Sequence, residues 1–146
     1  MGKVTELVAQ SPEDLLRTLG YTDLDGYQSE FRELIAANPD LMVEDWSTEP
    51  ELLEVFYCWV RCTRPHTIVE IGAYKGKSAF VLASAQKQNN YGELYSIDNN
   101  QEGTVPEALA RLETVGRSEK IRLLEQTSQK AFSEWIRAKI DFLFID

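Results

Sequence analysis

At 146 residues the chain is close to one domain's worth and can bury a core without disulfide or metal staples. Hydrophobic residues make up 43% and charged residues 27%, a globular rather than a disordered profile. Lys plus Arg number 15 against 24 Asp plus Glu, a formal net charge of -9, which argues against a general nucleic-acid binder and against docking to an anionic membrane. No apolar run approaches the roughly 18 residues of a membrane-spanning helix. The start, MGKVTELVAQ, has no apolar signal core. Met1-Gly2-Lys3 opens like an N-myristoylation signal, but Glu6 stands where Ser or Thr is needed. The expected compartment is the cytoplasm. Cys58 and Cys62 sit four apart in a predicted helix and read as buried thiols in that reducing setting. A metal site with His66 can be drawn at that spacing, but Pro65 ends the helix first and no fourth ligand is evident.

Residues 1–47 form a helical lead. Ser11-Pro12-Glu13-Asp14 is a helix start, with Ser11 as cap and two acids at the positive dipole end. Leu15, Leu16 and Leu19 follow, and Gly20 can stop the helix. A second helix is predicted from about Ser29 to Ala37, with Phe31, Leu34 and Ile35 on one face and Asn38-Pro39 ending it. Residues 48–146 form the main domain. Thr48-Glu49-Pro50-Glu51 reads as a capping box, with Leu52, Val55, Phe56, Trp59 and Val60 at helical spacing behind it.

After Pro65 strands and helices alternate. Thr67 to Ile71 (TIVEI) is a strand, Gly76 to Gln88 a helix, and Glu93 to Asp98 (ELYSID) a strand. Thr104-Val105-Pro106-Glu107 is a second capping box, opening a helix closed by Gly116. Lys120 to Glu125 (KIRLLE) is a strand. Ser128 can cap a helix carrying Ala131, Phe132, Trp135 and Ile136, and Asp141 to Asp146 (DFLFID) is the last strand. Short strands joined by helical crossovers make an α/β fold with a parallel sheet covered on both faces.

In open α/β sheets ligands bind beyond the carboxyl ends of the strands. There the first strand runs into Glu70-Ile71-Gly72-Ala73-Tyr74-Lys75-Gly76-Lys77-Ser78. Gly72 permits a sharp turn, Gly76 a second close approach, and Ser78 sits in the first turn of a helix with free N–H groups. A P-loop needs four residues between Gly and Gly-Lys-Ser, and Gly72 leaves only three, although Asp146 could mimic the magnesium-holding strand end. A dinucleotide fingerprint needs glycine where Tyr74 stands. S-adenosylmethionine (SAM) needs no phosphate cradle, only close backbone approach and an acid for the ribose. Asp98, ending the second strand, is that acid.

IVEIGAYKGKSAFVLA, LYSIDNN, IRLLEQTSQKAF and IDFLFID together resemble the first half of a class I SAM-dependent methyltransferase. The similarity is greatest to the small-molecule O-methyltransferase and cephalosporin-hydroxylase-like group, and covers about Glu49 to Asp146. The resemblance implies a Rossmann-like sheet in strand order 3-2-1-4. It implies SAM as cofactor, a small-molecule acceptor, and a divalent metal in the intact protein. It places Glu70, Gly72, Gly76 and Ser78 around the methionine part, Asp98 on the ribose, and Thr127 and Ser128 near the adenine. Asp146 would face the reaction centre as the catalytic candidate, and as a metal ligand only with residues beyond this chain. In that family the fourth strand is followed by a Gly-x-His segment and three more strands, so the C-terminal strands are expected to be missing here. DFLFID then lies at an edge, to be covered by the rest of a longer protein or, as the second choice, by a homodimer. His66 precedes the first strand at its amino end and is not expected to be catalytic. Two other readings stand beside this one: a non-catalytic SAM- or nucleotide-binding module acting through a partner, and a P-loop-like nucleotide hydrolase.

Overall fold

The computed structural model describes residues 11–45, 47–135 and 139–146. Four helices precede or flank the first strand: α1 (Pro12–Thr18), α2 (Leu24–Ala37), α3 (Pro50–Thr63) and, after β1 (Thr67–Ile71), α4 (Lys77–Asn89). Then come β2 (Glu93–Asp98), α5 (Val105–Glu113), β3 (Ile121–Glu125), the six-residue α6 (Ser128–Ser133) and β4 (Phe142–Ile145). The strands form one parallel sheet in the order β3-β2-β1-β4, as the sequence reading predicts.

Side chains alternate across a strand, so each strand feeds two layers. Ile68, Leu94, Phe142 and Phe144 face α3, α4 and α5 and share the main core with Leu53, Phe56, Val60, Leu82 and Leu112. Phe56 meets Phe142 and Phe144 edge-on, at ring separations of 5.8 and 4.6 Å. Val69, Tyr95 and Ile97 face the other way, against Ala131, Phe132 and Trp135. That second layer is thin. On β4 it leaves Leu143 48% and Ile145 64% exposed. The expectation of a sheet covered on both faces therefore fails at β4, because α6 packs against β2 and is too short to reach further. The predicted apolar edge is present.

A polar network ties α2 to α3 and α4. Arg61 donates from Nε and Nη2 to the two carboxylate oxygens of Glu30, at 2.7 and 2.9 Å. Tyr57 donates to the same carboxylate at 3.0 Å, and Arg61 also donates to Asn89. A planar fork on a carboxylate is the geometry for which Arg is suited. It links α2, α3 and α4. The carboxyl of Glu30 is held below its ordinary value, chiefly by the hydrogen bond from Arg61. Cys58 packs with Leu16 and Leu24, and burial pushes its thiol up to about 12. The cysteine is a core residue here.

Several local expectations shift. Helix α2 starts at Leu24 rather than near Ser29, since Leu24 is wholly buried against Leu16 and Cys58 and outweighs Gly26. Thr48 does not cap α3; Glu49 occupies the cap position and makes no side-chain cap bond. Thr104 stands at the cap of α5, but its hydroxyl is not used for it. Asn100 Oδ1 accepts from the Val105 N–H instead, at 3.1 Å. Thr127, not Ser128, caps α6, accepting from the Lys130 N–H at 3.2 Å. Ile136 lies outside the described residues.

Beneath the end of β1 lies the one wholly buried carboxyl group on the sheet, Glu70. It accepts from the Ser78 hydroxyl on α4 and from the Ser96 hydroxyl on β2. Burial pushes its carboxyl up to about 7, against these two hydrogen bonds; the carboxylates of Asp146 and Asp98 push it the same way as burial.

Two predictions follow from this packing. Gly76 has φ +79°, and a Cβ there would lie 2.8 Å from the Ala108 Cα on α5. Gly76→Ala combines left-handed strain of about 1–2 kcal/mol with a backbone clash. It should lower the urea midpoint by more than that strain alone; an unchanged midpoint would show that α5 moves aside freely. Glu70 concerns pH. A carboxyl whose folded value exceeds its unfolded one is better protonated when folded. Its contribution is complete below the unfolded value and is lost as pH rises through about 7. A rise of two to three pKa units corresponds to about 3 kcal/mol. Glu70→Gln should therefore gain on the wild type by about 3 kcal/mol between pH 4 and pH 8 in urea unfolding. Parallel stability profiles would contradict this.

Candidate functional site

The carboxyl ends of β1, β2 and β3 surround a cavity of about 330 Å³. That volume lies within the usual range for small-molecule sites. It is lined by Ile71 and Gly72 at the end of β1, Asp98 and Asn99 at the end of β2, and Gln126, Thr127 and Ser128 after β3. Four residues singled out from sequence thus come together: Gly72, Asp98, Thr127 and Ser128.

Asp98 organises the cavity's rim. Its Oδ2 accepts from the Tyr74 N–H at 2.9 Å and its Oδ1 from the Asn100 N–H at 2.7 Å. Each oxygen keeps further acceptor capacity for a ligand. The first bond holds Tyr74 at φ +47°, a conformation that an L side chain seldom adopts. The backbone of Gln126 donates to the Asp98 carbonyl at 2.9 Å, closing β3's end against β2's. Gly72 has φ +91°, and a Cβ there would point at the Asp146 carbonyl oxygen, 3.1 Å away. The absence of a side chain lets the ends of β1 and β4 approach. Asp146 itself is exposed, donates its N–H to the Ile71 carbonyl at 3.0 Å, and has the Thr48 hydroxyl 3.5 Å from Oδ2.

Three other sequence-selected residues play different parts. Gly76 serves close packing of α5 and the start of α4, and does not line the cavity. Glu70 and Ser78 are turned inward beneath the loop, bonded to one another. The lysine of Gly76-Lys77-Ser78 does not line the cavity. Lys77 is 3% exposed and donates to the Val43 carbonyl at 2.8 Å and to Asp45 at 3.1 Å. Lys75 also reaches Asp45, at 3.2 Å. Neither ammonium is left to meet a phosphate, as a P-loop reading requires.

Asn99, Gln126 and Asp45 were not foreseen. The first two adjoin foreseen residues in the strand-end loops, so position alone could have found them. Asp45 lies in the lead, and no spacing in the sequence joins it to the motif. His66 sits at the opposite end of the sheet, its Nδ1 3.0 Å from the Thr67 hydroxyl. Among the described residues no group of three or more His, Cys, Asp or Glu side chains converges to hold a metal.

Solved structures of similar fold include methyltransferases. The O-methyltransferase TomG from Streptomyces achromogenes, involved in tomaymycin synthesis and solved with SAM, aligns at TM-score 0.62 and 17% identity. The alignment covers 86% of this chain and 63% of that one. The Podospora anserina methyltransferase PaMTH1, bound to S-adenosylhomocysteine (SAH), aligns at TM-score 0.62 and 15% identity, over 100% and 61%. The SAH-complexed O-methyltransferase from Bacillus cereus gives 0.57 and 19%, over 92% and 59%. The chain thus spans about six-tenths of the length of these structures. At such identities the likeness shows the fold. No curated protein matches the sequence. Residues 69–146, more than half the chain and all of the strand-end loops above, match the family described as "Methyltransferase domain", and the chain belongs to that family.

Proposed function

We propose that this domain binds SAM in the cavity at the ends of β1, β2 and β3 and directs its methyl group to a hydroxyl oxygen of a small molecule. The observation that carries the reading is Asp98. It is a carboxylate fixed by two backbone N–H groups, with acceptor capacity to spare, on the wall of a cavity of about 330 Å³. That is what a ribose diol needs. Gly72 would let the amino-acid part lie against the backbone. Thr127 and Ser128 would border the adenine, and Gly76, Glu70 and Ser78 would hold the loop's shape from below. The SAM and SAH bound by two O-methyltransferases and one further methyltransferase of this fold support the cofactor.

When bound, SAM supplies an electrophilic methyl carbon, so the protein's task is orientation and proton removal. The acceptor oxygen must be aligned and must lose its proton as its new bond to carbon forms. Asp146 would be the carboxylate for that. It ends β4, exposed, beside Gly72. The same carboxylate would be one ligand of a divalent metal, should the acceptor chemistry use one.

Calorimetric titration with SAH tests the reading. Asp98→Ala should weaken SAH binding about tenfold or more, the loss expected of one or two charge-assisted hydrogen bonds. Equal affinities would remove the central support. Gly72→Val should abolish binding while far-UV circular dichroism keeps its mixed α/β shape, since the side chain would press on Asp146 at a positive φ. ATP with magnesium should bind neither protein; binding to the wild type would restore the nucleotide reading.

A further inference from the structure

Lys75 and Lys77 lie in the loop and first helical turn that follow Gly72, yet both ammonium groups are drawn to one carboxylate outside the domain's strands and helices. Asp45 Oδ2 accepts from Lys75 at 3.2 Å and Oδ1 from Lys77 at 3.1 Å. Oδ1 also accepts from the Ser47 N–H at 3.0 Å and from its hydroxyl. Lys77 completes its set on the Val43 carbonyl at 2.8 Å. Burial raises the cost of the charged carboxylate, but the bonds from Ser47, Lys77 and Lys75 prevail and hold Asp45 far below the ordinary value. A neighbouring residue of the same stretch, Thr48, lies 3.5 Å from the Asp146 carboxylate at the end of β4.

The geometry points to Asp45 as a positioning residue. By gripping Lys75 and Lys77 it fixes the Gly72–Gly76 loop in the shape that receives the cofactor, and this deepens the SAM reading on which it rests. Two features give the grip its leverage. Lys77 is nearly wholly buried, so its charge has no water to turn to if Asp45 is neutralised. The loop itself carries one non-glycine residue at positive φ, Tyr74 at +47°, a strained conformation that persists only where its surroundings hold it. Asp98 holds it from the β2 side through the Tyr74 N–H. Asp45 holds it from the other side, through Lys75 and Lys77. The lead is then part of the binding apparatus, although it supplies none of the cavity's lining residues.

The test uses Asp45→Asn and Asp45→Glu in the full chain, with Asp25→Asn as control for loss of an exposed ion pair elsewhere. Two quantities are read: SAH affinity by calorimetry well below the melting temperature, and the rate of tryptic cleavage after Lys75. Asp45→Asn should bind SAH five- to tenfold more weakly and be cut faster after Lys75. Asp45→Glu should recover most of both, and Asp25→Asn should match the wild type. An Asp45→Asn protein that melts lower yet binds SAH within twofold of the wild type would overturn the proposal, leaving Asp45 a support of the fold alone. If Asp45→Asn does not fold, Lys75→Met, which removes the less buried contact, takes its place; a two- to threefold loss is expected and none overturns. A wild type that binds no SAH would sink the SAM reading instead. Cleavage after Lys75 would then decide the grip by itself, faster in Asp45→Asn if it exists and unchanged if it does not.

Discussion

Everything at the ligand end of this sheet depends on a carboxyl group that no solvent reaches. Glu70 sits in β1, takes a hydroxyl from α4 through Ser78 and another from β2 through Ser96, and so ties three elements at one point. An unpaired acid there would cost several kcal/mol, and the two serines are what makes the position tenable. The next residues of the chain, Ile71 and Gly72, leave this anchor and line the cavity. The loop's path is thereby set from beneath before any ligand touches it.

Above the anchor, backbone conformation does what side chains elsewhere do. Gly72 and Gly76 adopt positive φ, and Tyr74 between them is held there by a hydrogen bond to Asp98. The two glycines are not equivalent. At Gly72 the missing side chain allows the ends of β1 and β4 to meet; at Gly76 it allows α5 to lie against the turn. One closes the site and the other packs the shell. Asp98 therefore has two duties, shaping the loop through Tyr74 and offering its spare lone pairs to the cavity. A variant at Asp98 disturbs both together. A loss of affinity there measures the sum, and the contrast with Asp45, which touches the loop but not the cavity, separates them.

Much of this was legible from residue order. Alternation in TIVEI puts Glu70 on the same face as Ile68, which is the buried side, so its inward turn follows from period two once the strand is recognised. The family resemblance had instead drawn it toward the ligand. Asp98 and Gly72 were legible because strand ends are where α/β sheets bind, whereas Thr127 came with the family resemblance. Capping was less so. Thr48-x-x-Glu51 has the form of a capping box, but Thr48 lies near Asp146 instead, a contact between residues 98 apart that no local pattern encodes. Lys77 misled most. In Gly-Lys-Ser it has the look of a phosphate ligand, and only Asp45, distant in sequence, explains its direction. Local rules found the frame of the site, and long-range pairing decided what its charged groups do.

That pairing also sets the sign of the site. The strand ends carry carboxylates at Asp98, Glu125 and Asp146, with Glu70 beneath them. The two lysines that could have balanced them are turned aside to Asp45 and the Val43 carbonyl. A polyphosphate entering this cavity would meet like charge at Asp98 on its wall, an unfavourable juxtaposition. A sulfonium with an ammonium group would meet the opposite. The same carboxylates that raise the Glu70 carboxyl would be screened by such a cation, lowering its hold on the proton. The carboxylates at the strand ends thus support the proposed cationic cofactor, and Asp45 adds to that support by pairing with the ammonium groups of Lys75 and Lys77.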